Sequence, residues 1–276
     1  MNVAIAGLGL IGGSFAKAIK AKTRHRVTGY DNSPEVIEKA QLAGVIDGAG
    51  LDGFQTAGLV LVALYPGASL DFLRENAALF RDGAIIVDLC GVKRAVCGGA
   101  EELFKGSGVT FIGGHPMAGR ELTGFDGSIP EMFENASMIL TPNGDTPPDK
   151  LKTAEDFFLS LGFRGITRTT PPRHDEMIAF TSQLAHIVSS AYAQNPIVRG
   201  FGGFTAGSFG DMTRVAKLNE EMWTELFLLN GDYLTEQITV LTDNLSAFRK
   251  YIAEGDAARL RELLRQGRLI KESLSE

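Results

Sequence analysis

The sequence predicts an α/β domain with a parallel sheet, followed by an all-helical domain. In the first half, short continuous apolar runs alternate with helix-like segments, as is typical of parallel strands covered on both faces. The pattern changes after Pro171-Pro172, beyond which no convincing strand is found. A chain of 276 residues is long enough for two modest domains. We therefore predict one domain over residues 1–168 and a second over residues 169–276.

A glycine-rich turn follows the first predicted strand. Val3-Ala4-Ile5-Ala6 leads into Gly7-Leu8-Gly9-Leu10-Ile11-Gly12, and a helical segment follows as far as Lys22. This strand–turn–helix order is the context that a dinucleotide-binding GxGxxG motif requires. Gly7 allows the tight turn, Gly9 lets the backbone approach a pyrophosphate, and Gly12 lets the helix pack closely on the strand. We therefore predict a Rossmann-type α/β domain in which residues 7–12 bind the cofactor.

A carboxylate ends the second predicted strand, Val27-Thr28-Gly29-Tyr30. Asp31 stands about 20 residues past the glycines, where an acid binds the ribose 2′-hydroxyl of NAD. It would repel the 2′-phosphate of NADP, and the neighbouring Asn32 and Ser33 supply no compensating arginine. The predicted cofactor is therefore NAD. The alternative is that Asp31 is a turn residue capping the helix that follows Ser33-Pro34.

The alternation continues to about residue 168. Strands are predicted at 59–62, 84–87, 109–112, 136–140 and 165–168, and helices at 68–80, 94–105 and 148–161. In such sheets, ligands bind beyond the carboxyl ends of the strands. Pro66, the segment Asp88–Lys93 and His115 each follow a predicted strand. We expect them to open on one crevice, with Asp88 among the cofactor-binding residues.

His115 is the predicted catalytic residue. It lies in Gly113-Gly114-His115-Pro116-Met117-Ala118-Gly119, and glycines around one histidine favour a mobile turn that a ligand approaches closely. An imidazole beside a nicotinamide site is suited to take up a proton while a hydride leaves. His25 and His174 are expected at the surface, with His174 capping or exposed at a helix start. His186 is either a core residue or part of the site.

The second half is predicted to be helical. Helices are expected at 175–193, from near residue 209, at 220–229 after an Asn219 cap, at 232–254 and at 256–273, with a glycine-rich connection at 199–208. Ser182 and His186 lie one turn apart and share a side. Six apolar residues repeat at spacings of four and three: Leu234, Ile238, Leu241, Leu245, Phe248 and Ile252. This short seam suits bundle packing or a dimer interface.

The residues alone support two interpretations of Arg214 equally. It either pairs with Asp211 within a helix or binds a substrate carboxylate with its planar guanidinium.

Composition narrows the class of protein. The net charge is −6 and no basic stripe is present, so nucleic acid is not an expected partner. No apolar run approaches the ~18–20 residues that span a bilayer, and the N-terminus lacks a signal peptide pattern. A cytoplasmic protein is expected. Cys90 and Cys97 are predicted to be reduced packing residues, and no spacing suggests a metal site.

Five separated segments resemble motifs of the prephenate and arogenate dehydrogenases, enzymes of tyrosine biosynthesis. They are residues 7–14, 88–93, 115–121, 182–186 and 209–216. The resemblance covers nearly the whole chain. It implies NAD-dependent oxidative decarboxylation of prephenate to 4-hydroxyphenylpyruvate, with arogenate as the alternative substrate, and a homodimer formed by the helical domain.

The resemblance also implies roles for single residues. His115 would hydrogen-bond the ring hydroxyl of the substrate, Arg214 would bind its carboxylate, and Trp223 would approach from the partner subunit. The expected substrate-binding set is Arg214, His186, Glu121, Ser182, Gln183, Asp211 and Trp223.

Three positions depart from the family pattern. Gly91 stands where serine is common, and Gln183 and Ala185 where histidine and proline are common. No added regulatory segment is recognised after the helical domain.

Two other functions are alternatives. A β-hydroxyacid dehydrogenase would share the layout, but its Lys-x-x-Asn-Asn motif is not seen. The alternative from another class is a NAD-binding regulator without catalysis.

Overall fold

The computed structural model describes residues 1–274. Contacts between residues divide the chain into two units, Met1–Asn230 and Gly231–Glu276. The first unit holds the sheet, its covering helices and several further helices, and the second consists of two helices. In the part of the chain that is described, no helix is both long and apolar enough to cross a membrane. The predicted boundary at residue 168 concerns the change from sheet to helices and stays a prediction.

Eight strands form one sheet. In chain order they are β1 (Asn2–Ala6), β2 (Arg26–Tyr30), β3 (Gly48–Ala49), β4 (Leu59–Val62), β5 (Ile85–Asp88), β6 (Thr110–Pro116), β7 (Ser137–Thr141) and β8 (Gly165–Arg168). The spatial order is β3-β2-β1-β4-β5-β6-β7-β8. All neighbouring pairs are parallel except β6 and β7. The predicted α/β class is confirmed, with one antiparallel pair added.

The antiparallel pair follows from the connection between its strands. Residues 117–136 contain a short 3-10 turn at Phe125–Gly127 but no α-helix. A parallel return requires a crossover connection, usually a helix, whereas this chain turns back at the same edge of the sheet. The loop of residues 117–136 begins directly after β6, whose last residues include His115.

Eleven helices occupy the described residues. They are α1 (Leu10–Lys22), α2 (Pro34–Leu42), α3 (Pro66–Asn76), α4 (Arg94–Phe104), α5 (Pro148–Ser160), α6 (Pro171–Ile178), α7 (Leu184–Ala193), α8 (Gly207–Thr213), α9 (Glu220–Leu229), α10 (Gly231–Glu254) and α11 (Ala257–Ser273). A π-helical turn, Ala179–Gln183, joins α6 to α7. Asn219 caps α9 by accepting a hydrogen bond from the Met222 amide, as predicted.

Apolar side chains cover both faces of the sheet. In β1, Val3 and Ile5 contribute to one buried cluster, while Ala4 and Ala6 contribute to the other. This alternation is the period of two that a strand buried on both faces requires. The first cluster is rich in aromatic rings, and Phe15 stacks on Phe133 at a centroid distance of 4.0 Å.

The register of the central strands places their carboxyl ends in one row. Ala6 pairs with Val62, Val62 with Asp88, and Asp88 with Gly113. The residues that follow these four therefore lie along one edge of the sheet. That edge carries both the glycine turn and His115, as predicted for a ligand crevice.

Candidate active site

The glycine turn between β1 and α1 has the geometry of a pyrophosphate cradle. Gly7 has a φ of +84°, and a Cβ there would lie 2.5 Å from the carbonyl oxygen of Ala63. A Cβ on Gly12 would collide with the carbonyl of Gly7, so the helix can approach only because the side chain is absent. Gly9 differs: a Cβ there would meet no atom of the described residues within 4 Å.

The open space at Gly9 lies at a helix N-terminus. Gly9 is the N-cap residue of α1, and no side chain caps this end. The amides of the first turn have no preceding helical carbonyl to bind, and the helix dipole is positive there. Open space and unpaired amides together fit a phosphate group. The residues present therefore suit the dinucleotide that the sequence predicts.

Asp31 connects this turn to the next helix. Its Oδ2 accepts the Leu8 amide at 2.8 Å, and its Oδ1 accepts the Ser33 amide at 2.9 Å. The cap of α2 is Ser33, whose hydroxyl accepts the Val36 amide, so capping of that helix does not fall to Asp31. Each carboxylate oxygen can accept a second bond, which leaves Asp31 able to bind a ribose hydroxyl.

Asp88 and Lys93 form an ion pair that is entirely buried. Burial alone would lower the pKa of Lys93, but the adjacent Asp88 carboxylate outweighs it and raises that pKa. The pair binds both backbone polar groups of one residue of β6. The Gly114 amide donates to Asp88 at 3.2 Å, and Lys93 donates to the Gly114 carbonyl at 2.7 Å. This burial does not support the predicted contact of Asp88 with a cofactor.

His115 lies within β6, opposite Ile139 of β7, rather than in a mobile turn as predicted. The neighbouring glycines are required by internal packing. A Cβ on Gly114 would lie 2.6 Å from a Val87 methyl and 2.7 Å from the Asp88 carbonyl oxygen, and one on Gly113 would collide with Thr141. Gly113 and Gly114 thus indicate crowding between strands, whereas a Cβ on Gly119 would meet no described atom within 4 Å. The His115 ring is held by regular backbone pairing.

The His115 ring is the outer member of a chain of three polar residues. Its Nδ1 lies 2.9 Å from the Nε2 of His174, and the Nδ1 of His174 lies 2.8 Å from the Asp175 carboxylate. Asp175 also accepts the backbone amides of Lys93 and Arg94 at 2.7 and 2.9 Å. His174 and Asp175 are buried, whereas His115 is partly exposed.

The predicted surface position of His174 is therefore wrong. The prediction placed the helix start at residue 175, but α6 begins at Pro171, with the Thr170 hydroxyl accepting the Arg173 amide. Because the helix starts four residues earlier, His174 lies one turn inside it and faces β6. Two prolines in succession, allowed in the first turn of a helix, were the available signal for this earlier start.

Burial and neighbouring charges keep both imidazoles neutral at pH 7. The pKa of His115 is well below 6.5, first because of burial and then because of His174 and the Lys93 ammonium. Burial also lowers the pKa of His174, although the bond to Asp175 partly offsets this. For Asp175, burial alone would raise the pKa, but bonds from His174 and two backbone amides lower it, so the carboxylate stays ionised.

A second group of predicted residues lies at the start of α7 and around α8 and α9. His186 donates from Nδ1 to the Val215 carbonyl at 3.2 Å, and its ring lies 4.0 Å from that of Trp223. Burial lowers the pKa of His186. The resemblance placed Trp223 on the partner subunit, whereas here it contacts His186 of its own chain. His186 is half-buried, between the two alternatives that the sequence left open.

Arg214 pairs with Glu121 rather than with Asp211. The guanidinium lies 2.8 Å from the Glu121 carboxylate, and both side chains are exposed. The helix that was predicted to carry Asp211 and Arg214 together ends at Thr213. Asp211 is exposed and Ser182 partly exposed.

Gln183 has internal partners. Its amide donates to the Leu226 carbonyl at 3.2 Å and accepts from Asn230 at 2.8 Å, and the residue is 1% exposed. This does not support the predicted substrate contact. Gln183 ends the π-helical turn, a feature that occurs often at functional sites. Ser182 lies within this turn, and His186 lies in the first turn of α7.

Two family models match nearly the whole chain. Residues 15–167 match the nucleotide-binding domain of prephenate dehydrogenase, and residues 170–266 match its dimerization domain. The chain belongs to the prephenate dehydrogenase family of oxidoreductases. The prephenate dehydrogenase of Lactococcus lactis subsp. cremoris is 31% identical over 99% of this chain and 77% of its own length. The cyclohexadienyl dehydrogenase of Zymomonas mobilis is 30% identical over 95% and 92%.

Solved structures of family members have the same fold. The arogenate dehydrogenase of Synechocystis matches with a TM-score of 0.84 and 28% identity over 100% of both chains. The prephenate dehydrogenase of A. aeolicus, in complex with hydroxyphenyl propionate and NAD+, matches with a TM-score of 0.88 and 26% identity, over 100% of this chain and 98% of that one.

Two of the positions that depart from the expected family pattern differ in their surroundings: nothing in the part of the chain that the structure describes requires glycine at position 91, whereas Gln183 has internal partners. A Cβ at Gly91 would lie 3.4 Å from a Leu226 methyl group, an ordinary contact, so a serine would fit without rearrangement. Gln183, in place of the common histidine, is part of the internal network with Asn230. Sequence reasoning missed Asp175 entirely, and only its position directly after His174 could have drawn attention to it.

Proposed function

We propose that this family member catalyses NAD-dependent oxidative decarboxylation of prephenate to 4-hydroxyphenylpyruvate. The observation that carries the proposal is the placement of His115. The ring lies at the carboxyl edge of the sheet with Nδ1 bound to His174, and no group of residues 1–274 binds its Nε2. A neutral imidazole with one accessible lone pair is suited to take a hydroxyl proton.

The chemistry requires one proton acceptor and correct placement. The hydride leaves the ring carbon that bears the hydroxyl, and the opposite ring carbon loses its carboxylate as carbon dioxide, so the ring becomes aromatic. His115 accepts a hydrogen bond from the hydroxyl at Nε2, takes its proton as carbonyl character develops, and returns the proton to the ring oxygen when loss of carbon dioxide makes the ring aromatic. Because aromatisation drives the reaction, the remaining task of the protein is to position the reactants.

Two parts of the site bind the reactants. Bound NAD supplies the hydride acceptor, and the amides at Gly9 and the Asp31 carboxylate are suited to its pyrophosphate and ribose. A substrate carboxylate is proposed to bind Arg214, with His186 and Trp223 lining the same side. Asp88 and Gln183 have internal hydrogen-bond partners, so no contact with the reactants is proposed for them. Ser182, Glu121 and Asp211 stay predicted substrate-binding residues.

An assay of NADH formation tests this proposal. Purified protein is given prephenate or arogenate, each with NAD or NADP, and carbon dioxide release is measured in parallel. We expect NADH and carbon dioxide in equal amounts, with prephenate and NAD as the preferred pair. Preference for arogenate would favour the related activity, which agrees with the name of the Synechocystis relative. Binding of NAD without turnover of either substrate would favour a regulator.

We also propose a homodimer built by the helical second half. The match of residues 170–266 to a dimerization domain supports it, as do apolar side chains of α10 that are more than half exposed in the single chain, Val240, Leu245 and Ile252. The domain boundary near residue 168 and the cytoplasmic location are kept as predictions.

A further inference from the structure

We propose that His174 and Asp175 select the tautomer of His115 that makes its outer nitrogen a base. The inference rests on the proposed role of His115 as proton acceptor and names the residues that prepare it. Neither His174 nor Asp175 reaches the substrate in this scheme, so both are positioning residues. The observation is the unbroken chain of hydrogen bonds from the buried carboxylate to the partly exposed ring.

The buried end of the chain determines its direction. An ionised carboxylate only accepts hydrogen bonds, so the His174 Nδ1, 2.8 Å from Asp175, carries a proton. A neutral imidazole has a single N–H, so the Nε2 of His174 is an acceptor. The His115 Nδ1, 2.9 Å away, is therefore the donor in the next bond. His115 is left with a lone pair at Nε2.

The start of α4 keeps Asp175 ionised. The backbone amides of Lys93 and Arg94 donate to its two oxygens at 2.7 and 2.9 Å, and the Arg94 side chain donates at 3.2 Å. These amides belong to a helix N-terminus, where the helix dipole also favours negative charge. Asp175 thus caps α4 and orients His174 at once.

The opposite tautomer of His115 would be inactive. With a proton on Nε2, the ring presents a donor to the substrate hydroxyl and cannot accept its proton. If His174 did not accept a hydrogen bond from the His115 Nδ1, no hydrogen bond would hold the proton there, and it could move to Nε2. The same logic holds for triads in which a carboxylate fixes the tautomer of a catalytic histidine, and there a wrong tautomer lowers kcat about 10⁴-fold. Here a second imidazole stands between the carboxylate and the base.

A purely structural role has to be distinguished, because the same bonds hold α6 against α4 and β6. Asn230 provides the control. It donates to the Asp175 backbone carbonyl at 2.9 Å and to Gln183 at 2.8 Å, and it accepts from the Arg94 guanidinium at 3.0 Å. It contacts neither imidazole, and the two backbone amides that bind the Asp175 carboxylate do not depend on it. Asn230→Ala should lower the Tm while leaving the His115 tautomer unchanged.

Two substitutions at His174 separate the functions of its ring. His174→Phe keeps a ring but removes both polar atoms, so His115 loses its acceptor. His174→Gln places an amide oxygen near the position of Nε2, which can still accept from the His115 Nδ1, although the link to Asp175 is lost. The expected order of kcat is therefore wild type, then His174→Gln, then His174→Phe, with a loss of about 10²-fold or more for the phenylalanine variant.

The decisive measurement is NMR of ¹⁵N-labelled histidine in the intact protein without substrate, with His115→Gln to assign the signals. In the wild type we expect His115 protonated at Nδ1 and bare at Nε2. His174→Gln should keep this pattern, and His174→Phe should move the proton to Nε2. A wild-type His115 protonated at Nε2, or a His174→Phe variant with an unchanged tautomer, would overturn the inference.

The same spectra separate this inference from the proposed function, because they require no substrate. If the wild type has the expected tautomers but oxidises neither prephenate nor arogenate, the tautomer selection stands and the proposed activity fails. If the wild type is active and the order of kcat among the His174 variants is reversed, the positioning role fails while the activity stands.

Discussion

The guanidinium of Arg214 donates a 2.8 Å hydrogen bond to Glu121, a residue 93 positions earlier in the chain. The two side chains are 66% and 47% exposed, and an exposed ion pair contributes little to stability. The bond nevertheless orients Arg214 toward the loop that follows His115. A guanidinium has several N–H donors, so Arg214 can bind a substrate carboxylate while it keeps its bond to Glu121. It can also release Glu121 and bind the substrate carboxylate in its place.

Arg214→Lys should lower kcat/KM for prephenate by about 10- to 150-fold, the loss expected for one charge-assisted hydrogen bond. Lysine keeps the charge but not the bidentate geometry. Arg74→Lys is the matched control, because Arg74 also forms an exposed ion pair, with Asp71. It should leave kcat/KM unchanged. An Arg214→Ala enzyme with full kcat/KM would show that the ion pair with Glu121 is only a surface contact.

His115→Asn should lower kcat about 10²- to 10⁴-fold, the usual contribution of a positioned acid–base group. Asparagine can accept a hydrogen bond but cannot take the proton. NAD affinity should be preserved, because the proposed cofactor contacts lie at the glycine turn and Asp31. A normal rate in this variant would assign the proton to another residue.

The pH dependence of kcat/KM should also reflect the proposed role of His115 as proton acceptor. Only the neutral imidazole of His115 is active, so the rate falls as the pH drops through its pKa. Burial, His174 and Lys93 hold that pKa well below 6.5. The acid limb should therefore lie below the ~6.5 midpoint of an ordinary histidine, and it should vanish in His115→Asn. A midpoint above 6.5 would contradict the environment described for the ring.

Asp31→Asn should weaken the use of NAD about 10-fold or more, because a charged acceptor of the ribose hydroxyls becomes neutral. It should raise the relative use of NADP, because repulsion of the 2′-phosphate is removed. Asp71→Asn, at an exposed carboxylate outside the cofactor site, is the control. Equal efficiency of the wild type with NAD and NADP would sink this assignment.

Gly91→Ser should raise kcat/KM by about 2- to 10-fold relative to Gly91→Ala, the contribution of one neutral hydrogen bond. The two variants add the same Cβ, which meets Leu226 at 3.4 Å without a clash, and only serine adds a hydroxyl. Thermal unfolding should be similar for both. Identical kinetics would mean that this position does not reach the reactants.

Leu245→Glu should shift the dimer toward monomer and raise its dissociation constant at least about tenfold, since a buried charge costs more than 1.4 kcal/mol. Leu245 is 58% exposed in the single chain and belongs to the apolar seam of α10. Ser246→Glu, next to it on the same helix, should leave the assembly intact. Light scattering over a range of concentrations measures both. A wild type that is monomeric and fully active would refute the dimer.

Much of the fold could be predicted because its signals are local. Apolar runs of strand length, helical spacing and the glycines of the first turn act over a few residues, so β1, α1 and the later alternation follow from the chain alone. The Asn219 cap was predictable for the same reason. The antiparallel return of β7 was not predicted, because it depends on residues 117–136 lacking a crossover helix.

Sequence alone determined the fold class and the glycine turn, and it indicated Asp31 and His115 as candidate site residues, because each depends on residue types at short spacing. Tertiary structure decided which groups meet. His115 contacts His174 across 59 residues, and burial of that histidine depends on α6 beginning at Pro171 and packing against β6. Likewise Asp88 is an internal residue because Lys93 folds back on it. Desolvation and hydrogen-bond partners arise only when distant segments pack, and they determine which nitrogen of His115 is left to act as a base.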